Sequence, residues 1–289
     1  MSKYAYVFAM FLGDAYLMGV LVMAYSLFKT NTIHDVVCMV TPDVSEDAKA
    51  KMKHIGIKVV NVEYIYTDPH FEVRPAMKKR YPNISKFSTK WNCLNLVEYK
   101  KIFFLDVDMI VQQNIDHVFK LPAPATRLVI HIPTNTSQSE FGLYASLLME
   151  DGEKLPNDIA DTFIYRRAGA VDGGCMLLKP SAKRFKKILK YLKNFDIRKL
   201  NHVMSDDEIA LFAFYVEQKK QWHNLGVKWS CAPWKYKGSC TAEDSYILNY
   251  IGTQKTWDVD LSQYPDTKKW YQYYNEMKEE YPKLIVYKF

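Results

Sequence analysis

The sequence lacks the features that mark several large classes of protein. Its 289 residues include only 11 glycines and 12 prolines, which excludes collagen-like and low-complexity chains. It has no arginine-rich run and no nucleic-acid-binding motif, so we expect no nucleic acid partner. The apolar run 15–28 is too short to cross a bilayer, so we expect no transmembrane segment. Because its N-terminal flank carries only Lys3, we interpret the run as a buried helix and expect no signal peptide.

Cysteine is scarce as well. There are five cysteines, an odd number, and none of them forms a C-x-x-C pair. Secreted disulfide frameworks use an even set of cysteines, so we expect a reducing compartment and a cytoplasmic location. The five are Cys38, Cys93, Cys175, Cys231 and Cys240.

The composition is otherwise that of a globular protein. Hydrophobic residues make up 48% of the chain and aromatic residues 15%, and the length fits one large α/β domain or two small ones. The net charge is +7. An excess of this size suits a polyanionic ligand such as a nucleotide diphosphate, and it also suits weak attraction to a membrane surface.

Apolar runs and helical patterns alternate through the first 62 residues. Residues 4–10, 34–41 and 57–62 read as strands, and residues 45–54 as a charged helix that ends at Gly56. Asp14 is a candidate N-cap for a first helix that runs to Lys29. Strands separated by helices at this spacing predict a parallel sheet.

The rest of the chain is predicted to continue as an α/β fold in a single domain, without an internal repeat. We expect helices over 87–99, 112–120, 180–193 and 206–219, strands over 102–111, 127–132, 175–178, 227–229 and 246–251, an inserted flap over 133–161, and a surface helix beyond residue 263.

Two carboxylates interrupt the apolar run 102–111. In a strand, residues i and i+2 point to the same face, so Asp106 and Asp108 are expected to project together from a strand end. Adjacent carboxylates repel unless a cation lies between them, and Mg²⁺ or Mn²⁺ shared with phosphates is the usual partner. The plain alternative is a strand end with two solvated aspartates.

Two phosphate chemistries use such a pair. One is metal-dependent transfer from a nucleoside diphosphate, and the other is an aspartyl phosphatase in which the first aspartate is the nucleophile. The phosphatase pattern is Asp-x-Asp-x-Thr on the first strand. Here the pair follows three strands, and Ile110 occupies the threonine position. Both facts favour transfer.

Six segments in a fixed order resemble glycosyltransferase family 8, of the glycogenin and galactinol synthase type. The resemblance implies a GT-A-type, Rossmann-like fold with a mainly parallel sheet. The segments are Val7-Phe8-Ala9 with Gly13-Asp14-Ala15-Tyr16, the helix with Lys90 from Phe87 to Cys93, Asp106-Val107-Asp108, Asp172-Gly173-Gly174-Cys175, Asp206-Asp207-Glu208, and the closing segment from Asn249 through Gly252 and Lys255 to Trp257.

The resemblance implies a role for each matched residue. It implies that a divalent Mn²⁺ or Mg²⁺ is bound by Asp106, Asp108 and Asn249, and that Asp207 and Lys255 are catalytic. The residues implied to contact the UDP-sugar are Ala9, Tyr16, Lys90, Asp106, Val107, Asp108, Asp172, Gly173, Gly174, Gly252 and Lys255.

The same resemblance implies the reaction and the partners. We expect transfer of a hexose from a UDP-sugar, with retained anomeric configuration, to a glycan, protein or small polyol. It allows a homodimer, and it divides the single domain into a nucleotide-binding half (1–120), a sugar and acceptor half (121–260) and a C-terminal helical extension (261–289).

Two positions depart from the family pattern. Asn249 stands where the family has a histidine metal ligand, and a neutral amide oxygen is a less usual Mn²⁺ ligand than imidazole. Asp207-Glu208 stands where the family has Asp-Gln, which adds a charge near the sugar. We therefore expect the two aspartates to carry more of the metal binding than in relatives.

A competing class remains open at this point. In this alternative the chain is a non-catalytic nucleotide-sugar binder or a self-glycosylating primer. Tyr236 is a loosely placed candidate for the tyrosine that would accept the sugar. Aromatic residues suit an acceptor groove, although most are simply core. The candidates for that groove are Trp222, Trp229, Trp234 and Tyr236, and the lone histidines His202 and His223 are expected to be structural.

Overall fold

The computed structural model describes residues 2–66, 83–130, 149–165, 169–194, 206–232, 240–252, 255–258 and 267–284. The strands are β1 (Tyr4–Met10), β2 (Asp35–Val40), β3 (Lys58–Asn61), β4 (Lys101–Leu105), β5 (Met109–Val111), β6 (Ala125–Ile130), β7 (Gly169–Leu178), β8 (His223–Leu225) and β9 (Ile247–Asn249). The α-helices are α1 (Leu17–Phe28), α2 (Glu46–His54), α3 (Asn157–Tyr165), α4 (Ala182–Asn194), α5 (Asp206–Glu217) and α6 (Lys268–Glu280). Short 3₁₀ helices cover Ile84–Asn95, Asp116–Lys120, Val227–Trp229 and Pro282–Leu284.

A seven-stranded sheet with the order β3-β2-β1-β4-β7-β6-β8 forms the centre of the fold. The pairs among β3, β2, β1 and β4 are parallel, whereas β7 runs antiparallel to both β4 and β6. Strands β5 and β9 form a separate antiparallel pair. The predicted α/β fold with a mainly parallel sheet is confirmed.

The sheet is buried on both faces, which is why its central strands read as continuous apolar runs. Alternate residues of β1 enter two cores, with Tyr6 and Phe8 in one and Ala5 and Val7 in the other. Helices α1, α2 and α6 supply the first core. The 3₁₀ helix Ile84–Asn95, α4 and α5 supply the second.

The first loop differs from the prediction. Helix α1 begins at Leu17, and its N-cap residue Tyr16 makes no side-chain cap bond. Asp14 instead accepts a hydrogen bond from the Ser45 backbone N–H at 2.9 Å. Asp14 therefore ties the β1–α1 loop to the start of α2, whose own cap is the Ser45 hydroxyl bound by the Ala48 N–H.

Three later predictions are wrong in part. Residues 227–229 form a 3₁₀ turn, and the strand lies just before it at β8. Residues 133–148 of the predicted flap over 133–161 lie outside the described residues. Its last residues, 157–161, belong to α3. The C-terminal helix α6 is not confined to the surface, because four of its side chains are buried.

The cysteines also differ from the expectation. Cys231 and Cys240 form a disulfide, whereas Cys38, Cys93 and Cys175 are free and buried. An odd cysteine count and a nine-residue separation gave no signal for this pair. In the part of the chain that the structure describes, no helix is long and apolar enough to cross a membrane.

Candidate active site

The Asp106-Val107-Asp108 segment is a turn between two sheets. Strand β4 of the large sheet ends at Leu105, and β5 of the small sheet begins at Met109. The two carboxylates therefore do not lie on one face of a single strand, and that prediction is wrong. They lie instead where the chain crosses from one sheet to the other, at the carboxyl end of β4.

The Gly173–Gly174 pair makes room for acidic side chains. Both glycines lie inside β7, and the Asp106 backbone N–H donates to the Gly174 carbonyl at 2.8 Å. A Cβ on Gly174 would lie 2.5 Å from an Asp106 carboxylate oxygen, and a Cβ on Gly173 would collide with Glu208 of α5. Side chains at 173 and 174 would thus displace both acids.

Lys255 balances the charge of Asp108. Its ammonium forms an ion pair with Asp108 Oδ2, and both side chains are largely buried. Burial alone lowers the pKa of Lys255, but attraction to Asp108, together with Tyr16 and Asp106, raises that pKa above its ordinary value. Lys255 is therefore held as a cation beside the turn.

The closing segment packs against α1 beside the same turn. The rings of Tyr16 and Trp257 meet edge to face at 5.8 Å. A Cβ on Gly19 would lie 2.7 Å from the Trp257 ring and 2.9 Å from the Val107 carbonyl oxygen. Burial is the main cause that raises the pKa of the Tyr16 hydroxyl; Lys255 lowers it, and Asp108 raises it.

Asn249 brings a third oxygen to this place. It lies opposite Met109 in the β5–β9 pair, and the next N–H, from Tyr250, donates to the Asp108 carbonyl at 2.8 Å. Its amide nitrogen donates to the Ser230 hydroxyl at 2.9 Å. Its amide oxygen is buried and has no hydrogen-bond partner in the described part of the chain.

These residues fit a divalent cation. Asp108 Oδ1 is a second buried oxygen without a partner among the described residues, and a buried unpaired acceptor costs free energy unless a ligand binds it. Carboxylate and amide oxygens are the hard donors that Mg²⁺ and Mn²⁺ accept. Within the described ranges, no group of three or more His, Cys, Asp and Glu side chains is suited to a metal, so the candidate set depends on the amide.

Asp172 has partners that the sequence did not predict. Its carboxylate accepts a hydrogen bond from the Gly174 N–H at 3.0 Å and forms an ion pair with Arg127, N–O 3.5 Å. The hydroxyl of Thr126 donates to the Asp172 carbonyl at 2.9 Å. Arg127 was not predicted as a site residue, although a single arginine inside the apolar strand β6 was a usable signal.

The remaining candidates are spread around this region. Lys90 is buried, with its ammonium 5.0 Å from the centre of the Trp91 ring. Ala9 lies near the end of β1 opposite Met39, and Gly252 lies three residues after the end of β9. Asp207 lies in the first turn of α5.

The proposed acceptor groove is only partly described. Trp222 and Trp229 are 1% and 0% exposed, so they are core residues and do not line a groove. His223 is also buried, with its Nδ1 3.1 Å from the Pro124 carbonyl oxygen, which agrees with a structural role. Trp234, Tyr236 and His202 lie outside the described residues.

Comparison with known proteins gives a consistent result. A model of the family described as Glycosyl transferase family 8 matches residues 7–260. An uncharacterized protein of Acanthamoeba polyphaga mimivirus is 29% identical over 270 residues, which cover 89% of this chain and 84% of that protein.

Named relatives match over shorter stretches. Galactinol synthase 2 of Arabidopsis thaliana is 38% identical over 122 residues, 42% of this chain and 35% of that protein. Glycogenin-1 of Homo sapiens is 32% identical over 106 residues, 37% of this chain and 29% of that protein. The match thus spans about a third of each named relative.

A solved structure shares the fold. The structure of the galactosyltransferase LgtC, in complex with donor and acceptor sugar analogs, superposes with a TM-score of 0.54. The match covers 97% of this chain and 100% of that chain at 16% identity.

Proposed function

The chain belongs to glycosyl transferase family 8 and has a GT-A-type fold, and from this premise we propose that it transfers a hexose from a UDP-sugar to a glycan, protein or small polyol acceptor with retained configuration. One observation carries the proposal. The Asp106–Asp108 turn lies against Lys255 and next to the strand of Asn249, and Asp108 and Asn249 each have one buried oxygen without a partner among the described residues.

The donor diphosphate is proposed to bind at this place together with Mn²⁺ or Mg²⁺. Asp106, Asp108 and Asn249 would hold the ion, which when bound neutralises charge on the departing diphosphate. The unpartnered oxygens of Asp108 and Asn249 support this assignment.

Lys255 is proposed as the protein's own positive charge for the leaving group. It is already ionised and nearly buried, so it does not have to be desolvated when the donor binds. A diphosphate that enters beside Asp108 offers the ammonium a second anionic partner. Tyr16, Val107 and Ala9 are proposed to contact the nucleotide, and Gly252 leaves backbone space near the phosphates.

The sugar is proposed to lie over the Gly173–Gly174 segment. Asp207 is proposed to stabilise the oxocarbenium-like transition state, and Lys90 to contact the sugar or the diphosphate. The ion pair of Asp172 with Arg127 supports a positioning role for Asp172. Its carboxylate also accepts a hydrogen bond from the Gly174 N–H, and it is proposed to contact the sugar hydroxyls beside that glycine.

Turnover with purified protein tests the proposal. The protein is incubated with Mn²⁺ and a panel of UDP-sugars, and UDP release and intact protein mass are followed. We expect UDP release that depends on the divalent ion. A mass gain of one hexose would favour the self-glycosylating primer, and donor binding without any turnover would favour the non-catalytic binder.

Asp108→Asn tests the metal assignment directly. The change removes one charge at nearly constant shape, and we expect Mn²⁺-dependent UDP-sugar affinity to fall by at least about tenfold. Calorimetric titration measures the affinity. Asp161→Asn on the exposed face of α3 is the matched control and is expected to leave it unchanged. Equal affinity in both variants would rule out Asp108 as a ligand.

A further inference from the structure

Helix α4 holds nearly all the excess positive charge of the protein. Its sequence contains five lysines and one arginine and no acidic residue, whereas the whole chain has a net charge of +7. The rest of the chain is therefore almost balanced. The six are Lys183, Arg184, Lys186, Lys187, Lys190 and Lys193.

This arrangement opposes helix stability. Lys183 and Arg184 lie in the first turn, which has no acidic residue, and the helix dipole disfavours cations there. Like charges three and four residues apart, such as Lys183 and Lys187, also repel along one face. Among the described residues, none of the six forms an ion pair with a carboxylate. Packing of the helix through Ile188 and Leu192 does not require this charge.

Four cations surround a cleft of about 220 Å³ between α4 and α5. The Arg184 guanidinium lies 5.2 Å from the centre of the Tyr215 ring and donates to the Lys179 carbonyl at 2.9 Å. Lys187 donates to Gln218 at 3.3 Å. The cleft is lined by Ser181, Lys183, Arg184, Lys187, Phe214, Tyr215, Gln218 and Lys220.

Tyr215 supports one side of this cleft. The residue is 1% exposed, and its buried side chain lies against the Arg184 guanidinium. The nearest acid in sequence is Glu217, and its carboxylate accepts a hydrogen bond from Tyr191 at 2.8 Å. The cleft therefore offers the N–H donors of lysine and arginine, and its lining contains no carboxylate.

The cleft is remote from the proposed donor site. Cys175 of β7 pairs with Leu105 at the carboxyl end of β4, whereas Leu178 pairs with Ile102 near its start, so β7 leads α4 away from Asp106. Helix α5 starts with Glu208 against Gly173 and lines the cleft from Phe214 to Gln218, about 9 to 15 Å further along the helix axis.

We propose that the cleft between α4 and α5 is a second anion site, which binds a phosphate group carried by a free phosphate compound or by an anionic lipid headgroup. Arginine and lysine donors that converge on one cleft suit phosphate oxygens. The lysines that continue along α4 add long-range attraction for a negatively charged ligand.

Binding of two probes tests this site. Pyrophosphate is titrated calorimetrically in EDTA, which removes divalent ions from the donor site, and vesicles of phosphatidylcholine with or without phosphatidic acid are used in co-sedimentation. The double variant Lys183→Glu/Lys187→Glu is compared with Lys278→Glu/Lys283→Glu, an exposed pair at the C-terminal end of the chain. The milder Lys183→Gln/Lys187→Gln variant covers any loss of folding.

We expect the cleft variants to weaken binding at least about tenfold, since each lost charge-assisted hydrogen bond weakens association by roughly that factor. The control pair should bind as the unchanged protein does. Bound ligand should also protect Lys183 and Lys187, but not Lys278, from acetylation. Pyrophosphate binding alone identifies a soluble phosphate, and vesicle binding alone identifies a lipid. If neither probe binds, or if cleft and control variants bind alike, the proposal is overturned.

Discussion

Asn249 places a neutral oxygen beside a buried carboxylate. In the absence of a metal, Lys255 is the cation that compensates Asp108, and a third carboxylate would add repulsion that a single ammonium does not offset. A neutral amide at position 249 therefore adds no charge to the Asp108–Lys255 pair. If Asn249 binds the proposed ion, the same neutrality reduces its attraction for that ion.

Asn249→Asp separates these two effects. Without metal we expect a loss of roughly 1–3 kcal/mol in the free energy of unfolding, because the new charge is buried next to Asp108. With Mn²⁺ we expect a larger rise in melting temperature than the unchanged protein shows. Thermal unfolding with and without Mn²⁺ measures both effects.

The control for this change is Asn95→Asp, at an exposed position. It should alter neither the melting temperature nor its response to Mn²⁺ by more than a surface substitution does, within about 0.5 kcal/mol. If Asn249→Asp leaves the response of the melting temperature to Mn²⁺ unchanged, residue 249 does not bind the ion.

The sequence could supply the residues of the site but not their pairings. Asp106 and Asp108 stand out because carboxylates are rare inside apolar runs. The ion pair of Asp108 with Lys255 spans 147 positions, and only the fold brings such residues together. The Asp172–Arg127 pair is hidden for the same reason. The roles of the individual site residues remain predictions.

At the scale of elements, Gly19 allows α1 to touch the Asp106–Asp108 turn. Eleven of the 12 residues of α1 are buried, so the helix cannot move outward to accept a side chain at this position. The close neighbours of Gly19 are the Trp257 ring and the backbone carbonyl of Val107, and a backbone atom has little freedom to move.

Gly19→Ala is therefore expected to destabilise the protein. In an exposed helix the change would gain about 1 kcal/mol, but here the added methyl group should cost roughly 1–3 kcal/mol net. Ala50→Gly on the exposed side of α2 is the reciprocal control, with an expected loss of about 1 kcal/mol. Urea unfolding compares the two, and a stabilised Gly19→Ala protein would contradict the close packing.

Element prediction succeeded where burial imposes one pattern. The interior strands β1 and β2 were predicted within one residue at either end, because a strand covered on both faces is continuously apolar. Residues 227–229 were predicted as a strand because Val227 and Trp229 are apolar at alternate positions. The same two residues are buried in the 3₁₀ turn. The break after Leu105 was missed because apolar residues continue on both sides of a turn that joins two buried strands.

The disulfide Cys231–Cys240 stabilises the segment behind Asn249. The Asn249 N–H donates to the Cys231 carbonyl at 2.7 Å, so the crosslinked segment supports the strand that presents the amide.

We expect three free thiols in the denatured, unreduced protein and five after reduction. A thiol titration counts them, and five thiols in both states would exclude the disulfide. Because disulfides are rare in reducing compartments, the same count tests the predicted cytoplasmic location.

Loss of this crosslink should cost about 2–3 kcal/mol in the free energy of unfolding, from the extra freedom of the unfolded chain. Reduction of the unchanged protein and the Cys240→Ser variant should give similar values in urea unfolding. Addition of a reductant to Cys240→Ser is the control, and it should have no further effect.

At the scale of the whole molecule, the C-terminal helix belongs to the main core. The family match ends at residue 260, yet α6 beyond it packs against α1 and buries Trp270 and Met277 completely. Trp270 stacks on Tyr274 at 5.5 Å and lies 6.2 Å from Trp257. The C-terminal helix is therefore linked through two tryptophans to the segment that carries Lys255.

Trp270→Ala tests whether the chain unfolds as one domain that includes residues 261–289. We expect a loss of about 3–5 kcal/mol, typical of a large aromatic residue removed from a core, together with weaker UDP-sugar binding through Trp257. Gln272→Ala on the exposed side of α6 should change the free energy of unfolding by less than about 0.5 kcal/mol.

Urea unfolding followed by both tryptophan fluorescence and circular dichroism should give one coincident transition. Two separate transitions, or a Trp270→Ala variant as stable as the unchanged protein, would show that α6 is an independent extension, because a helix packed only on the outside of a completed core can unfold without it.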